Sequence, residues 1–175
     1  ISMAADTNGV NVVKGGAGVD VITGSGSDLG DNLQGNAGAD TFQFASANFT
    51  VLDTVAGGAG DDTIKMTDAS TVVDADFTNV TSVKTLTYGT IGHNQTFTLG
   101  ALASAAGIDT VTTGTGTNST TFAASNAATT VNVAAGTDTV NAAAATTGIT
   151  VAIAETSLTN CLLYTSPSPR DPTKS

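Results

Sequence analysis

Tryptophan is absent from this chain of 175 residues, and the other aromatics, six Phe and two Tyr, make up only 5% of it. A broad core built on large rings is excluded, which leaves a narrow one lined by aliphatic side chains. Positive charge is nearly as scarce: five Lys and Arg stand against fifteen Asp and Glu, a formal net charge of −10. No nucleic-acid partner is expected, because a phosphate backbone has to be met by Lys and Arg; the balance suits a chain that binds cations. No apolar run approaches the roughly 20 residues of a membrane span, and the first residues lack the charged and apolar regions of a signal peptide. Ile1-Ser2-Met3 is no obvious initiator, so the chain is expected to start within a longer protein. His93 is the only histidine and Glu155 the only glutamate. A zinc site, a triad or a glutamate pair would lack partners; His93, in Gly-His-Asn, reads as a surface-loop residue, and no catalytic residue is expected.

Cysteine, arginine and proline are missing from residues 1–160 and appear only in the last fifteen, Cys161–Ser175. There the Thr/Ala/Val/Gly composition breaks off abruptly. The stretch CLLYTSPSPRD, 161–171, resembles the translation of a transposase sequencing adaptor; the alternative is a disordered Pro/Ser tail. Residues 161–175 are therefore expected to be disordered read-through, with the natural chain cut near Asn160. Other codons in the source nucleotides would overturn this.

What the chain has instead is glycine and aspartate in register. The pattern Gly-Gly-x-Gly-x-Asp-x-apolar appears three times: Gly15–Ile22 (GGAGVDVI), Gly35–Phe42 (GNAGADTF) and Gly57–Ile64 (GGAGDDTI). Glycines let the backbone turn tightly and expose its carbonyls, and the Asp supplies a hard anionic oxygen. The apolar residue two positions on is expected to point the opposite way, into a core. Asn36 replaces the second glycine of the middle copy, tolerably, since Asn visits positive φ more readily than most residues. Every Asp or Asn with an apolar residue two positions later gives Asn11/Val13, Asp20/Ile22, Asp31/Leu33, Asp40/Phe42, Asp53/Val55 and Asp62/Ile64, in steps of 9, 11, 9, 13 and 9. Periods this short predict a solenoid in which each repeat is half a coil, so that residues two repeats apart stack.

These motifs resemble hemolysin-type calcium-binding (RTX) repeats. The resemblance implies a parallel β-roll, Ca2+ as the bound ion, and a bridging role for the sixth-position Asp. The implied metal-site residues are Gly15, Gly16, Gly18 and Asp20, then Gly35, Asn36, Gly38 and Asp40, then Gly57, Gly58, Gly60 and Asp62. The well-formed loops are every second repeat and fall on one side of the coil. A calcium-rich edge is thus expected, with cations between the first and second and the second and third loops. The intervening loops are degenerate and make a poorer edge, where Asp31 and Asp53 keep the phase but lack the glycines and are the weaker candidates. Asp28 and Asp61 read as solvated charges, and Asp109 and Asp138 as coil-corner residues. Six inward apolar side chains bury too little to offset the ordering of some fifty residues. This half should stay largely unfolded until calcium binds.

Beyond Met66 the glycine loops stop. Thr85–Tyr88 and Thr96–Leu99 alternate as half-buried strands do, and Ala101–Gly107 suits either one helical turn or a small-residue corner. From Ser119 a nine-residue rhythm returns: Phe122, Val131, Val140 and Ile149, followed two residues later by Ala124, Val133, Ala142 and Val151. This half is similar to the Thr/Ala-rich β-solenoids of bacterial surface-layer proteins and adhesins. Asn118-Ser-Thr matches a glycosylation acceptor pattern by chance. The expected architecture is all-β: an RTX β-roll over 1–66, a transitional strand region over 67–118, a metal-free, right-handed β-solenoid over 119–160, and the disordered 161–175. The resemblances imply a secreted or cell-surface structural module, exported by a type I route. Its partners would be calcium and either neighbouring copies or cell-surface components. The alternative is the accessory repeat domain of an exported enzyme or toxin.

Overall fold

The computed structural model describes residues 1, 9–26, 29–69, 71–88, 94–124, 126–153 and, for the backbone alone, 158–165. His93, Glu155 and Asp28 lie outside the described residues. Within them the chain is a parallel β-solenoid. Its strands are β1 (Val12–Gly16), β2 (Val21–Thr23), β3 (Asn32–Ala37), β4 (Thr41–Phe44), β5 (Thr54–Ala59), β6 (Thr63–Met66), β7 (Thr71–Val72), β8 (Val80–Thr81), β9 (Thr85–Tyr88) and β10 (Gln95–Leu99). After a helix, α1 (Ala101–Ala106), come β11 (Thr110–Thr112), β12 (Thr117–Phe122), β13 (Thr129–Val133), β14 (Gly136–Ala142), β15 (Ile149–Ile153) and β16 (Leu158–Thr165).

One wall is continuous: β2, β4, β6, β9, β11, β13 and β15 form a seven-stranded sheet. The rest of the coil belongs to two sheets, β1-β3-β5-β8 and then β7-β10-β12-β14-β16. In the N-terminal coils, residues two repeats apart do stack. Val13 pairs with Leu33 and Leu33 with Val55 on one wall, Ile22 with Phe42 and Phe42 with Ile64 on the other. All six side chains are buried. Strand alternation sends every second side chain inward, which is why an apolar residue at a fixed phase becomes a column.

The wall changes over between β6 and β9, where one turn carries both β7 and β8. Helix α1 packs on the 3-10 turn Asp74–Phe77 and on β8, which ends the four-stranded sheet. The Asp74 carboxylate accepts the backbone N–H groups of Gly100, Leu102 and Ala103 at 2.7, 3.1 and 2.9 Å, filling the orphan donors of the helix start. Gly107, at φ 104°, closes its C-terminus. Of the two forms open to Ala101–Gly107, the helical turn is the one adopted.

In the C-terminal coils the stacking period is twenty residues, not two nonapeptides: Thr110 pairs with Thr130 and Thr130 with Thr150, while Thr120 pairs with Val140. The corner segments between strands set that period, and the nine-residue spacing records only alternate walls. Phe122, Val131, Val133 and Val140 are buried as expected, and Ile149 and Val151 pack against the core. Ala124 is exposed at a corner, so the second expected column is broken. The expectation of disorder from Cys161 onward is corrected for Cys161–Thr165, which continue β16 alongside β14. The open edge of an end strand templates any extended segment of suitable propensity. Residues 166–175 lie outside the described residues.

Candidate metal centre

The three glycine loops lie on one edge, each joining a strand of the four-stranded sheet to the next strand of the seven-stranded wall. Gly16 is in register with Asn36, and Asn36 with Gly58. Asn36 has φ 78° and Gly58 φ 106°, so Asn does take the left-handed conformation there. Gly60, at φ 133°, faces the Gly38 carbonyl so closely that no Cβ fits.

The aspartates form a ladder. Asp20 N–H donates to Asp40 Oδ1 at 2.8 Å, and Asp40 N–H to Asp62 Oδ1 at 2.8 Å. At the open end of the row, Asp20 Oδ2 accepts Gly16 N–H at 2.7 Å. Asp40 and Asp62 are buried, which corrects the expectation that Asp and the apolar residue two positions on point opposite ways. In extended backbone, residues i and i+2 share a face. One oxygen of each inner carboxylate, Asp40 Oδ2 and Asp62 Oδ2, is buried with no protein partner.

The first glycine of each loop shows what surrounds those oxygens. A Cβ on Gly15 would meet Asp20 Oδ2 and the Gly35 carbonyl, each at 2.6 Å. One on Gly35 would meet Asp40 Oδ2 and the Gly57 carbonyl, and one on Gly57 would meet Asp62 Oδ2 and the Ser82 carbonyl. Each loop therefore brings a carboxylate oxygen and a carbonyl from the next rung to one spot that only glycine leaves open. Oxygen donors of this kind, with an unsatisfied anion among them, fit a calcium ion. Among the described residues no three His, Cys, Asp or Glu side chains converge, so backbone carbonyls have to supply much of any coordination.

The other edge differs in kind. Asp31 N–H donates to Asp53 Oδ1 at 2.9 Å, the same ladder again. Here, however, the carboxylates are engaged by protein donors. Asp31 accepts from the Asn11 amide and from Ser25 N–H and hydroxyl, and Asp53 from Thr50 N–H and hydroxyl.

After Asp62 the row changes sign. The carbonyls of Asp20 and Asp40 accept Thr41 and Thr63 N–H, and that of Asp62 accepts both Lys84 and Thr85. Lys84 thus stands one rung on from Asp62, and its ammonium pairs with exposed Asp61 at 2.9 Å. Lys84 lies at the Asp40-to-Asp62 spacing beyond Asp62, but a search for Asp or Asn passes over a Lys. Asp109 follows on the next rung, half-exposed, bonded by the Thr110 hydroxyl at 2.8 Å. Asp138 is not a corner residue as expected: it is 2% exposed, inside β14. Asn118 is likewise buried, its amide bonded to the Gly114 and Gly116 carbonyls and to Asp138.

Burial pushes the carboxyls of Asp53, Asp62 and Asp138 above the ordinary carboxylate range, although the N–H groups they accept pull the other way. A raised folded-state pKa gives stability that is complete below the unfolded value and fades as pH rises through the folded one. In chelator, acidification from neutral pH towards about 4 is therefore expected to restore β signal in circular dichroism, protons standing in for the cation. A monotonic loss of that signal over the same range would refute it.

A stack of parallel half-coils joined by glycine loops, with carboxylate and carbonyl oxygens gathered along one edge, defines a structural cation-binding repeat module. Residues 6–28, 25–43 and 53–65 match the family model described as RTX calcium-binding nonapeptide repeat (4 copies), so RTX repeats are found in the N-terminal part of this chain, and that repeat family binds calcium. No curated protein and no solved structure matches the chain. An RTX β-solenoid is a structural module, not a catalytic fold.

Proposed function

We propose that this chain is a calcium-rigidified segment of a secreted or cell-surface bacterial protein of the surface-layer or adhesin kind. The observation that carries the calcium part is the pair of buried, unpartnered oxygens on Asp40 and Asp62, each beside a carbonyl of the following rung. Cations there would be held by Asp20, Asp40 and Asp62 with the carbonyls of the glycine loops, and Asp31 and Asp53 would serve as structural ladder residues instead. When bound, calcium supplies the positive charge that lets neighbouring carboxylates stack. The chain's own part is to place one anionic oxygen and one carbonyl per rung and to close the core behind them.

Export fits the same chemistry. An acidic chain short of calcium in the cytosol stays extended and transportable, and external calcium folds it. The surface role is supported by the Thr-rich outer face of the seven-stranded wall, where Thr41, Thr63, Thr85, Thr110, Thr130 and Thr150 share one column. The test is to express the complete reading frame in its host and label intact cells with an antibody raised against residues 67–118. Labelling of the cell exterior or the medium is expected, and a signal confined to the cytosol would overturn the proposal.

A further inference from the structure

We infer that the C-terminal coils hold a second cation site, built inside the solenoid from side-chain oxygens of Tyr88, Asn118, Thr120 and Asp138 and not from glycine loops. These four residues are 7%, 2%, 1% and 2% exposed. Each keeps an oxygen with no protein partner: the Tyr88 and Thr120 hydroxyls, Asn118 Oδ1 and Asp138 Oδ2.

The register brings them together. Asn118 and Thr120 are two apart on β12, so both face inward, and Asn118 pairs with Asp138 of β14. The Asn118 amide N–H group donates to Asp138 Oδ1 at 2.8 Å, and the Thr113 hydroxyl also stands against the carboxylate. Tyr88 enters from the seven-stranded wall: its ring stacks on Phe97 with centroids 4.2 Å apart, and Phe97 is the strand partner of Thr120. Burial raises the Tyr88 hydroxyl's pKa, the Thr120 hydroxyl beside it pulls it back, and the charge of Asp138 adds to the rise.

Charge decides what belongs among them. Residues 85–153 contain no Lys or Arg, and among the described residues no cationic side chain pairs with the Asp138 carboxylate. A buried carboxylate without a counter-charge is costly. A carboxylate, an amide carbonyl and two hydroxyls are the oxygen donors that a hard cation such as calcium takes. With one formal negative charge the site should be weaker than the glycine-loop row, since affinity follows the number of charged ligands.

Terbium, which replaces calcium at oxygen sites and emits when a nearby tyrosine absorbs, gives a direct readout. The chain has no Trp and two tyrosines, Tyr88 and Tyr164, so in a Tyr164→Phe background Tyr88 is the sole tyrosine sensitiser. Tyrosine-excited emission is expected to grow with terbium, to be lost in Asp138→Asn, and to persist in Asp40→Asn. Thr120→Val covers the case in which Asp138→Asn fails to fold, because position 120 lies in a column between Phe97 and Val140, where Val packs. It should weaken the emission while keeping the β-solenoid spectrum. Absent emission, or emission that Thr120→Val leaves unchanged, overturns the site and leaves a buried water as the bridging species. Either result is independent of the glycine loops, whose failure would show as an unaltered calcium count in Asp40→Asn.

Discussion

Removing calcium from the folded protein is expected to abolish the β structure of the coils from Val12 to Met66, turning a protease-resistant segment into one that is cut within its glycine loops. Asp20, Asp40 and Asp62 sit on successive rungs, linked through backbone N–H groups that each donate to the next carboxylate. That geometry brings negative charges together at rung spacing, about 4.8 Å, and a buried anion without a partner is among the costliest features a fold can carry. A ligand bound only by the native state stabilises it in proportion to the logarithm of its concentration over Kd, about 2.7 kcal/mol at a hundredfold excess. Withdrawing it removes that term and exposes the repulsion. The measurement is circular dichroism with limited proteolysis across a chelator titration. Unchanged β signal and unchanged resistance would show that side-chain packing alone holds these coils.

Substituting the two kinds of ladder aspartate should separate the edges. Asp40→Asn keeps Oδ1, the acceptor for Asp20 N–H, but replaces the unpartnered anionic oxygen with a neutral amide. It is expected to lower the number of calcium ions bound at saturation. Asp53→Asn removes charge from an acceptor of Asp31 N–H, Thr50 N–H and the Thr50 hydroxyl. In the variant the acceptor of the Thr50 N–H, Oδ2, becomes an N–H donor facing it, and a buried donor left unsatisfied costs about 1–3 kcal/mol, so this variant should lose stability while binding its full complement of calcium. Equilibrium dialysis gives the count and thermal unfolding gives the stability. Equal loss of calcium from both variants would mean that both edges bind metal.

The two edges show where reading the chain by residue type reaches its end. Asp31 and Asp53 share the phase of Asp20, Asp40 and Asp62, and the N–H to Oδ1 ladder recurs on both sides. They differ through Ser25 and Thr50, which reach Asp31 and Asp53 from the corner just before each, and through Asn11, which reaches Asp31 from the preceding turn. Such partners lie at corners whose path no periodicity fixes. Lys84 is a different case: it follows Asp62 by the same 22 residues that separate Asp40 from Asp62, and a search confined to Asp and Asn passes over it. Asp138 was misplaced because Asp-x-Val reads the same at a corner as at an inward strand position, and only the pairing of Asn118 with Asp138 tells them apart.

The sequence by itself determined that the chain coils in half-turn repeats, that Val13, Ile22, Leu33, Phe42, Val55 and Ile64 line its core, and that three glycine loops share an edge, because these follow from period and parity, which are local. Tertiary structure alone decided which carboxylates are left without a partner, how the wall passes from one sheet to another beneath α1, and that the later coils stack at twenty residues. Each of these depends on how long the corners are and on what the adjacent turn places opposite, and neither is encoded within a single repeat.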